Sequence, residues 1–287
     1  SDNNLHLVGY SKPIDQILTK KKLLKFIHTN KSVPNAIPYV TSYYKKSWGF
    51  CMSHNKYLDF KKKYKDSDKF RVLIDSKFNK NGFLEYGELI IKGKSQQEIL
   101  ISTYICHPSM ANNELSGPIV SMSLINYFLK KKQLDKTLRF LFIPETIGSI
   151  SYIHKNFQKL KSNVVGGYNI SCVGDENKFS CILSKYQDSQ SDIALLSTFK
   201  KSRVKFKKYS FLKRGSDERQ YNSPFVNLGI TTICKSKFGE FKEYHTSDDN
   251  FSLVTKKGIA QSFKIIKKAI EALCYTIIPE SKIICEP

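Results

Sequence analysis

His107 stands just past an apolar run, ILISTYI at 99–105, and opens a polar loop that leads through Gly117 and Pro118 into a helical pattern. Neutral imidazole is a favoured zinc ligand and titrates near neutrality, so a strand-end histidine suits metal binding or proton transfer. A second imidazole, His245, sits in the polar loop EYHTSDDN at 243–250. Either histidine alone reads as a structural residue; the pair points to a shared ion. Hydrolytic zinc sites need about three protein ligands and an open position. Thr246, Asp248 or Asp249 would then orient His245.

Glu145 follows the apolar run FLFI at 140–143. Its bland reading is a carboxylate favoured by the dipole of the helix that follows. Its sharper reading is a general base that takes a proton from metal-bound water. Asp217 and Glu218 lie in GSDERQY at 215–221, where charges of both signs crowd together. A surface ion-pair turn competes there with metal ligation or capture of a substrate amine. Asp175 ends another apolar run and would line the same cleft. His6, His28, His54 and His154 have no acidic or cysteine partner at ligand spacing, and His154 reads as structural. Serine-nucleophile catalysis lacks its GxSxG elbow.

Positioning these side chains requires alternating strands and helices. Strands are expected at 99–105, 137–143, 165–172, 180–185 and 229–235, and helices at 118–132, 149–161, 189–201 and 256–277. Ile259, Phe263, Ile266, Ile270 and Leu273 give the last helix one apolar face. Such alternation predicts an α/β fold, a mostly parallel or mixed sheet sandwiched by helices. Ligands then bind beyond the carboxyl ends of the strands, where His107 and Glu145 fall. Nearer the start, an amphipathic helix is expected over 14–28 and a β-prone segment over 38–44. Strands at 71–76 and 83–91 flank the turn NKNG at 79–82 and suggest a small inserted β-rich domain over 45–93. Residues 1–44 and 94–287 would form the main α/β domain.

The chain has 287 residues and a net charge of +22. Arg71, Arg139, Arg203, Arg214 and Arg219 are the only arginines among 47 basic residues, whereas phosphate and base recognition favours the arginine fork. The scattered lysines read as solvated surface. A nucleic-acid or anionic-polysaccharide binding module is therefore a subordinate alternative, although the field would assist an anionic sugar or nucleotide-linked substrate. Seven cysteines without CxxC spacing argue against a zinc ribbon and fit a reduced cytoplasmic protein, with Cys106, Cys172, Cys181 and Cys234 acting as small hydrophobes. No apolar run approaches the roughly 18 residues that span a membrane. Ser1 follows no initiator methionine and no secretory segment, which reads as a chain cut from a longer protein.

Taken together, CHPSMAN at 106–112, LSGP at 115–118, PETIGS at 144–149, CVGD at 172–175, GSDERQY at 215–221 and YHTS at 244–247 resemble an aminopeptidase-like family of unknown function. NLHLVGY at 4–10 and WGFC at 48–51 also look familial. That family is found beside bacterial polysaccharide-biosynthesis genes and is related to zinc aminopeptidases and glutaminyl cyclases. The resemblance implies an aminopeptidase-type α/β fold with a small inserted β domain. It also implies longer ends: Cys285, Glu286 and Pro287 close inside the pattern, and a further winged-helix module would follow. Related zinc aminopeptidases carry two metals held by His, a bridging Asp, Glu, Asp and His. His107 and His245 match the two histidines, and Glu145 matches the general base. Asn113 stands where the bridging Asp is expected, Thr146 replaces the Glu ligand and Ser171 the second Asp. A neutral carboxamide cannot bridge two cations, so one zinc ion is expected rather than two. It would sit on His107, His245 and one carboxylate, Asp217 foremost, with Glu218, Asp175 or a rotated Glu114 as alternatives. Asn113, Asp175, Glu218 and Tyr244 are the further candidates for ligand or substrate contact. The implied activity is hydrolysis of an amide in a peptide, small molecule or surface-glycan precursor; the alternative is a degenerate member that binds without hydrolysis.

Overall fold

Continuous apolar runs become buried strands and one-sided runs become the helices that cover them, throughout a computed structural model that describes residues 3–43 and 45–276. In chain order the elements are β1 (Ile14–Thr19), α1 (Lys20–Leu23), β2 (Ile27–His28), β3 (Phe50–Cys51), α2 (His54–Lys63), β4 (Lys69–Ile74), β5 (Gly87–Ile91), β6 (Glu98–Tyr104) and α3 (Ser116–Leu129). They continue with β7 (Thr137–Ile143), α4 (Ile147–Asn163), β8 (Val164–Ile170), β9 (Phe179–Ile182), α5 (Gln190–Lys201), β10 (Phe206–Tyr209), α6 (Glu218–Tyr221), β11 (Ile230–Cys234) and α7 (Lys256–Tyr275).

Seven strands form one mixed sheet in the order β5-β7-β6-β8-β11-β9-β10. β7, β6, β8 and β11 run parallel, while β5 joins β7 and β9 joins β11 antiparallel. Every residue of β6 is buried, as expected of a central strand covered on both faces. One face packs against α3, α5 and α7 through Val120, Leu124, Phe199, Ile266 and Ile270. The other packs against α4 and α6 through Tyr152, Leu160 and Tyr221. Each fully buried Ile or Leu in these layers contributes roughly 1.5–3 kcal/mol by leaving water. The expected α/β class and the central strands and helices are all present. The parallel strands deliver residues 105–117, 144–149 and 171–175 to one end of the sheet.

The first third departs from expectation. No helix spans 14–28: Ile14–Thr19 is β1, paired antiparallel with β4. The apolar spacing of Ile14, Ile17 and Leu18 suits a helix, but a partner strand distant in the chain captures it, in a register that runs from Ile14 opposite Ile74 to Thr19 opposite Lys69. Only 20–26 remains helical, as α1 and the 3-10 turn Leu24–Phe26 that continues it. Buried Lys20 is anchored by the carbonyl oxygens of Lys61 (3.0 Å) and Tyr64 (2.5 Å), which ties α1 to the end of α2. Segment 38–43 makes isolated bridges, Pro38 to Thr246 and Thr41 to Gly9, rather than a strand.

Residues 79–82 do turn, with the Gly82 amide donating to the Asn79 carbonyl, yet the strands on either side do not pair with each other. β4 belongs with β1, and β5 is the edge of the large sheet. The small apolar cluster of Leu23, Trp48, Val72 and Ile74 draws residues from both sides of position 45. Strand pairing therefore cuts across the expected boundaries at 45 and 93. The closing residues 285–287 lie outside the described residues.

Candidate active site

The loop after β6 is held by contacts to β7, to the His245 loop and to the central sheet. The Ile105 amide continues the ladder to the Ile143 carbonyl (3.0 Å), and the chain then leaves the sheet at Cys106 and His107. A π-helical turn over Ala111–Leu115 precedes α3. Its first amides, free of helical partners but buried, are capped from the His245 loop: Asn112 and Asn113 donate to the Asp249 carboxylate at 2.5 and 2.9 Å. Gly117 lets α3 start hard against the sheet, because a Cβ there would lie 2.3 Å from Thr103 Oγ1 and 2.7 Å from the Ile170 carbonyl oxygen.

The rings of His107 and His245 lie 5.3 Å apart between centroids and are tilted by 39°. Tyr39 packs on both, at 5.8 and 5.1 Å, and its amide donates to the His245 carbonyl at 2.8 Å. Tyr244 stacks on His245 at 3.9 Å and Tyr104 approaches His107 at 5.1 Å. His245 adopts a left-handed backbone, φ +54°, and its buried Nε2 has no hydrogen-bond partner among the described residues. Burial, and then the nearby His107, push the His245 pKa down to about 4.

His107 is 5% exposed. Its Nδ1 lies 3.3 Å from Cys106 Sγ and 3.6 Å from Glu114 Oε2, and its Nε2 lies 3.8 Å from Glu145 Oε2. Burial opposes the imidazolium, but the cysteine and the two carboxylates outweigh it and raise the pKa well above 6.5. The other oxygen of Glu145 accepts from the Ser216 hydroxyl at 2.6 Å. Burial raises the Glu145 pKa, and His107 and Ser216 restrain the rise. A cavity of about 440 Å³ opens beside this cluster, lined by Cys106, His107, Met110, Glu114 and Phe251 among others. A larger groove of about 770 Å³ lies along α4 and Phe225 and contains none of the candidate residues.

A family model described as a domain of unknown function (DUF4910) matches residues 17–275, which is most of the chain. The chain belongs to that family. A Clostridium acetobutylicum protein, provisionally named for polysaccharide biosynthesis with an aminopeptidase-like domain, is 38% identical over 276 residues, 96% of this chain and 61% of its own length. A crystal structure of a C. acetobutylicum protein provisionally named a peptidase superposes with a TM-score of 0.88 at 38% identity, over 95% of this chain and 63% of that one. The zinc aminopeptidase BSAP from Bacillus subtilis shares the fold with a TM-score of 0.60 at 15% identity, over 88% of this chain and 67% of that one. This DUF4910 chain thus has the aminopeptidase-like α/β fold and spans about three fifths of the length of the two C. acetobutylicum relatives.

Within the DUF4910 chain the expected residues divide into two groups. His107, His245, Glu145 and Tyr244 form one cluster through ring contacts and the His107–Glu145 ion pair, although only His107 lines the 440 Å³ cavity. Asp217 does not join them: its Oδ1 accepts from the Thr146 amide (2.8 Å) and the Ser149 hydroxyl (2.6 Å), so it caps α4. Burial, and then repulsion from Glu145, push its pKa up to about 7. Glu218 is saturated by the amides of Gly215 and Ser216, the Thr232 hydroxyl and the Asn169 side-chain amide. Asp175 ties loops together, accepting from Asn112 Nδ2 and the amides of Asn177 and Ser236. Both oxygens of each carboxylate are engaged, so neither is free to ligate, whereas the hydrogen bonds to Glu114 fall on Oε2 alone.

The two-ion arrangement does not fit these residues. Asn113 Oδ1 and Ser171 Oγ both pair with the Tyr104 hydroxyl, at 3.2 and 2.5 Å, and Thr146 accepts from Arg219 at 2.8 Å. At the positions where the resemblance leads one to expect anionic ligands, this chain has neutral groups engaged with other side chains. Among the described residues, the donor atoms of Cys106, His107 and Glu114 lie within 4.8 Å of one another; His107, His245 and Asp217 form no such trio. Cys106, expected as a core hydrophobe, is half-buried with its sulfur turned to His107. The signal for it is its adjacency to His107 just past the strand. Tyr39 carries no local signal at all.

Proposed function

We propose that this domain hydrolyses an amide bond in a peptide or an acylamino-bearing glycan precursor, with Glu145 as the group that moves the proton. One observation carries the reading: Glu145 presents one carboxylate oxygen to His107 Nε2 at 3.8 Å while the Ser216 hydroxyl fixes the other. Burial raises its proton affinity above that of an exposed carboxylate, the direction a general base requires. The place at the carboxyl ends of β6 and β7 is where open α/β sheets bind ligands. Tyr39, Tyr104 and Tyr244 supply apolar walls that exclude water around the two histidines.

The metal content this donor set supports is one zinc ion anchored on His107, not two. Such an ion would supply Lewis-acid polarisation of the scissile carbonyl; taking up the proton stays with Glu145. No helix among the described residues is long and apolar enough to cross a membrane. The six described cysteines are free thiols, five of them buried, which supports a reducing cytoplasm as its compartment.

A second reading, ligand binding without hydrolysis, is favoured by the closed Tyr104–Asn113–Ser171 network. Turnover of an aminoacyl-anilide panel separates the two. Hydrolysis that Glu145→Gln lowers by roughly 10²–10⁴-fold fits a positioned base. Saturable binding of the same compounds with no turnover decides for the binding protein.

A further inference from the structure

We propose that Cys106, His107 and Glu114 form a divalent-metal site on the Nδ1 face of His107, independent of His245 and Asp217. The inference rests on the one-ion reading above and names where that ion sits.

The spacing is that of a coordination shell. Cys106 Sγ is 3.3 Å from His107 Nδ1, and Nδ1 is 3.6 Å from Glu114 Oε2. Zinc bonds of about 2.3 Å to sulfur and about 2.0–2.2 Å to nitrogen and oxygen give tetrahedral edges of roughly 3.4–3.6 Å. The third edge, between Cys106 Sγ and the Glu114 carboxylate, lies within 4.8 Å, so a cation at the centre would draw these two donors together. One thiolate and one carboxylate balance its two charges.

The surroundings of each donor are those of a ligand already oriented. Cys106 Sγ accepts from the Glu145 amide at 3.2 Å. Glu114 Oε2 accepts from the amides of Cys106 and His107 at 3.0 and 2.6 Å. His107 turns its remaining nitrogen toward the Glu145 carboxylate at 3.8 Å, an ion-pair distance that would close to the carboxylate–histidine pairing of metal sites only with a small shift. Three donors leave a fourth position, and the 440 Å³ cavity opens on all three of them. A site of this kind takes zinc or cobalt, with water or a small anionic ligand completing it.

The test strips the purified chain with a chelator and titrates it with Co²⁺ alone, then with competing Zn²⁺. The expected result is about one Co²⁺ per chain with a near-ultraviolet sulfur-to-cobalt charge-transfer band that zinc removes. Cys106→Ser should abolish the band and weaken binding at least about 10–100-fold, the loss caused even by removing an outer partner. Glu114→Gln should keep the band and weaken binding, and His245→Ala should change neither, with circular dichroism confirming that each variant is folded. Binding without the band, or a band that survives Cys106→Ser, overturns the proposal. Band-free binding that His245→Ala abolishes would move the ion to the two histidines and leave the one-ion reading standing. No binding at all rejects both.

Discussion

The Asn113 amide donates to the Asp249 carboxylate at 2.9 Å, so the loop that carries His107 is tied to the loop that carries His245. The Asn112 amide shares the same carboxylate, and both asparagines are buried away from solvent. Asp249→Ala should therefore leave two buried donors unpaired, at about 1–3 kcal/mol each. Asp249→Asn, which keeps one acceptor oxygen, should cost about half as much. Urea unfolding should show a lower midpoint with an unchanged slope; equal stability of the alanine variant would mean the loops are held elsewhere.

Asp217 makes stability depend on pH in an unusual direction. Its pKa rises from 3.8 to about 7 in the folded chain, so the native state binds the proton that the unfolded state has released. Where the native state holds more protons, stability falls as pH rises. The loss should develop between about pH 4 and pH 7 and be complete above that, amounting to about 2–4 kcal/mol. Asp217→Asn keeps the acceptor for Thr146 and Ser149 and should flatten this decline. Denaturation midpoints at pH 5 and pH 8 check it: the variant's gain over the parent should be clearly larger at pH 8 than at pH 5.

Legibility in the sequence follows the range of the deciding contacts. β6 and β7 are buried on both faces, so their apolar runs announce them, and His107 and Glu145 are placed by standing just past those runs. Ile14, Ile17 and Leu18 mislead because their spacing satisfies a helix while the register with β4 decides the outcome. Tyr39 reaches the histidines only because Pro38 bridges Thr246, a pairing across more than 200 residues that leaves no local pattern. Asp217 sits in a charged turn that looks superficial, yet it is fully buried because Ser149 and the Thr146 amide await it at the start of α4. Cys106 follows apolar neighbours, but β6 ends at Tyr104, and a side chain two residues past a strand no longer belongs to its core.

Gly117 should tolerate no side chain. The Ile170 carbonyl oxygen would lie 2.7 Å from an alanine Cβ at this position, and as backbone of the central sheet it cannot give way. Gly117→Ala should cost about 1–3 kcal/mol by overpacking and displace the turn that carries Asn113 and Glu114. Thermal unfolding measures the cost. A control, Gly239→Ala, meets no atom within 4 Å, so only its left-handed backbone, φ +76°, opposes it and its effect should be the smaller.

Arg139 is a cation inside the sheet, 2% exposed, and forms a two-pronged bond to Glu98 at 2.6 and 2.8 Å with Glu88 and Tyr152 alongside. Removing one partner of a buried pair strands the other charge, at about 3–5 kcal/mol, whereas removing both can be nearly neutral. Arg139→Met should therefore be severely destabilising, and adding Glu98→Gln should restore much of the loss. Stabilities of the two single variants and the double variant, measured by urea unfolding, give the coupling directly. Additive losses would mean that the pair contributes no more than two independent side chains. A large positive coupling would place the specificity of the β6–β7 register in this one buried pair. Glu98 faces Thr137 and Arg139 faces Leu100 in the backbone ladder, so the ion pair crosses the two strands diagonally and a slipped register would pull its charges apart.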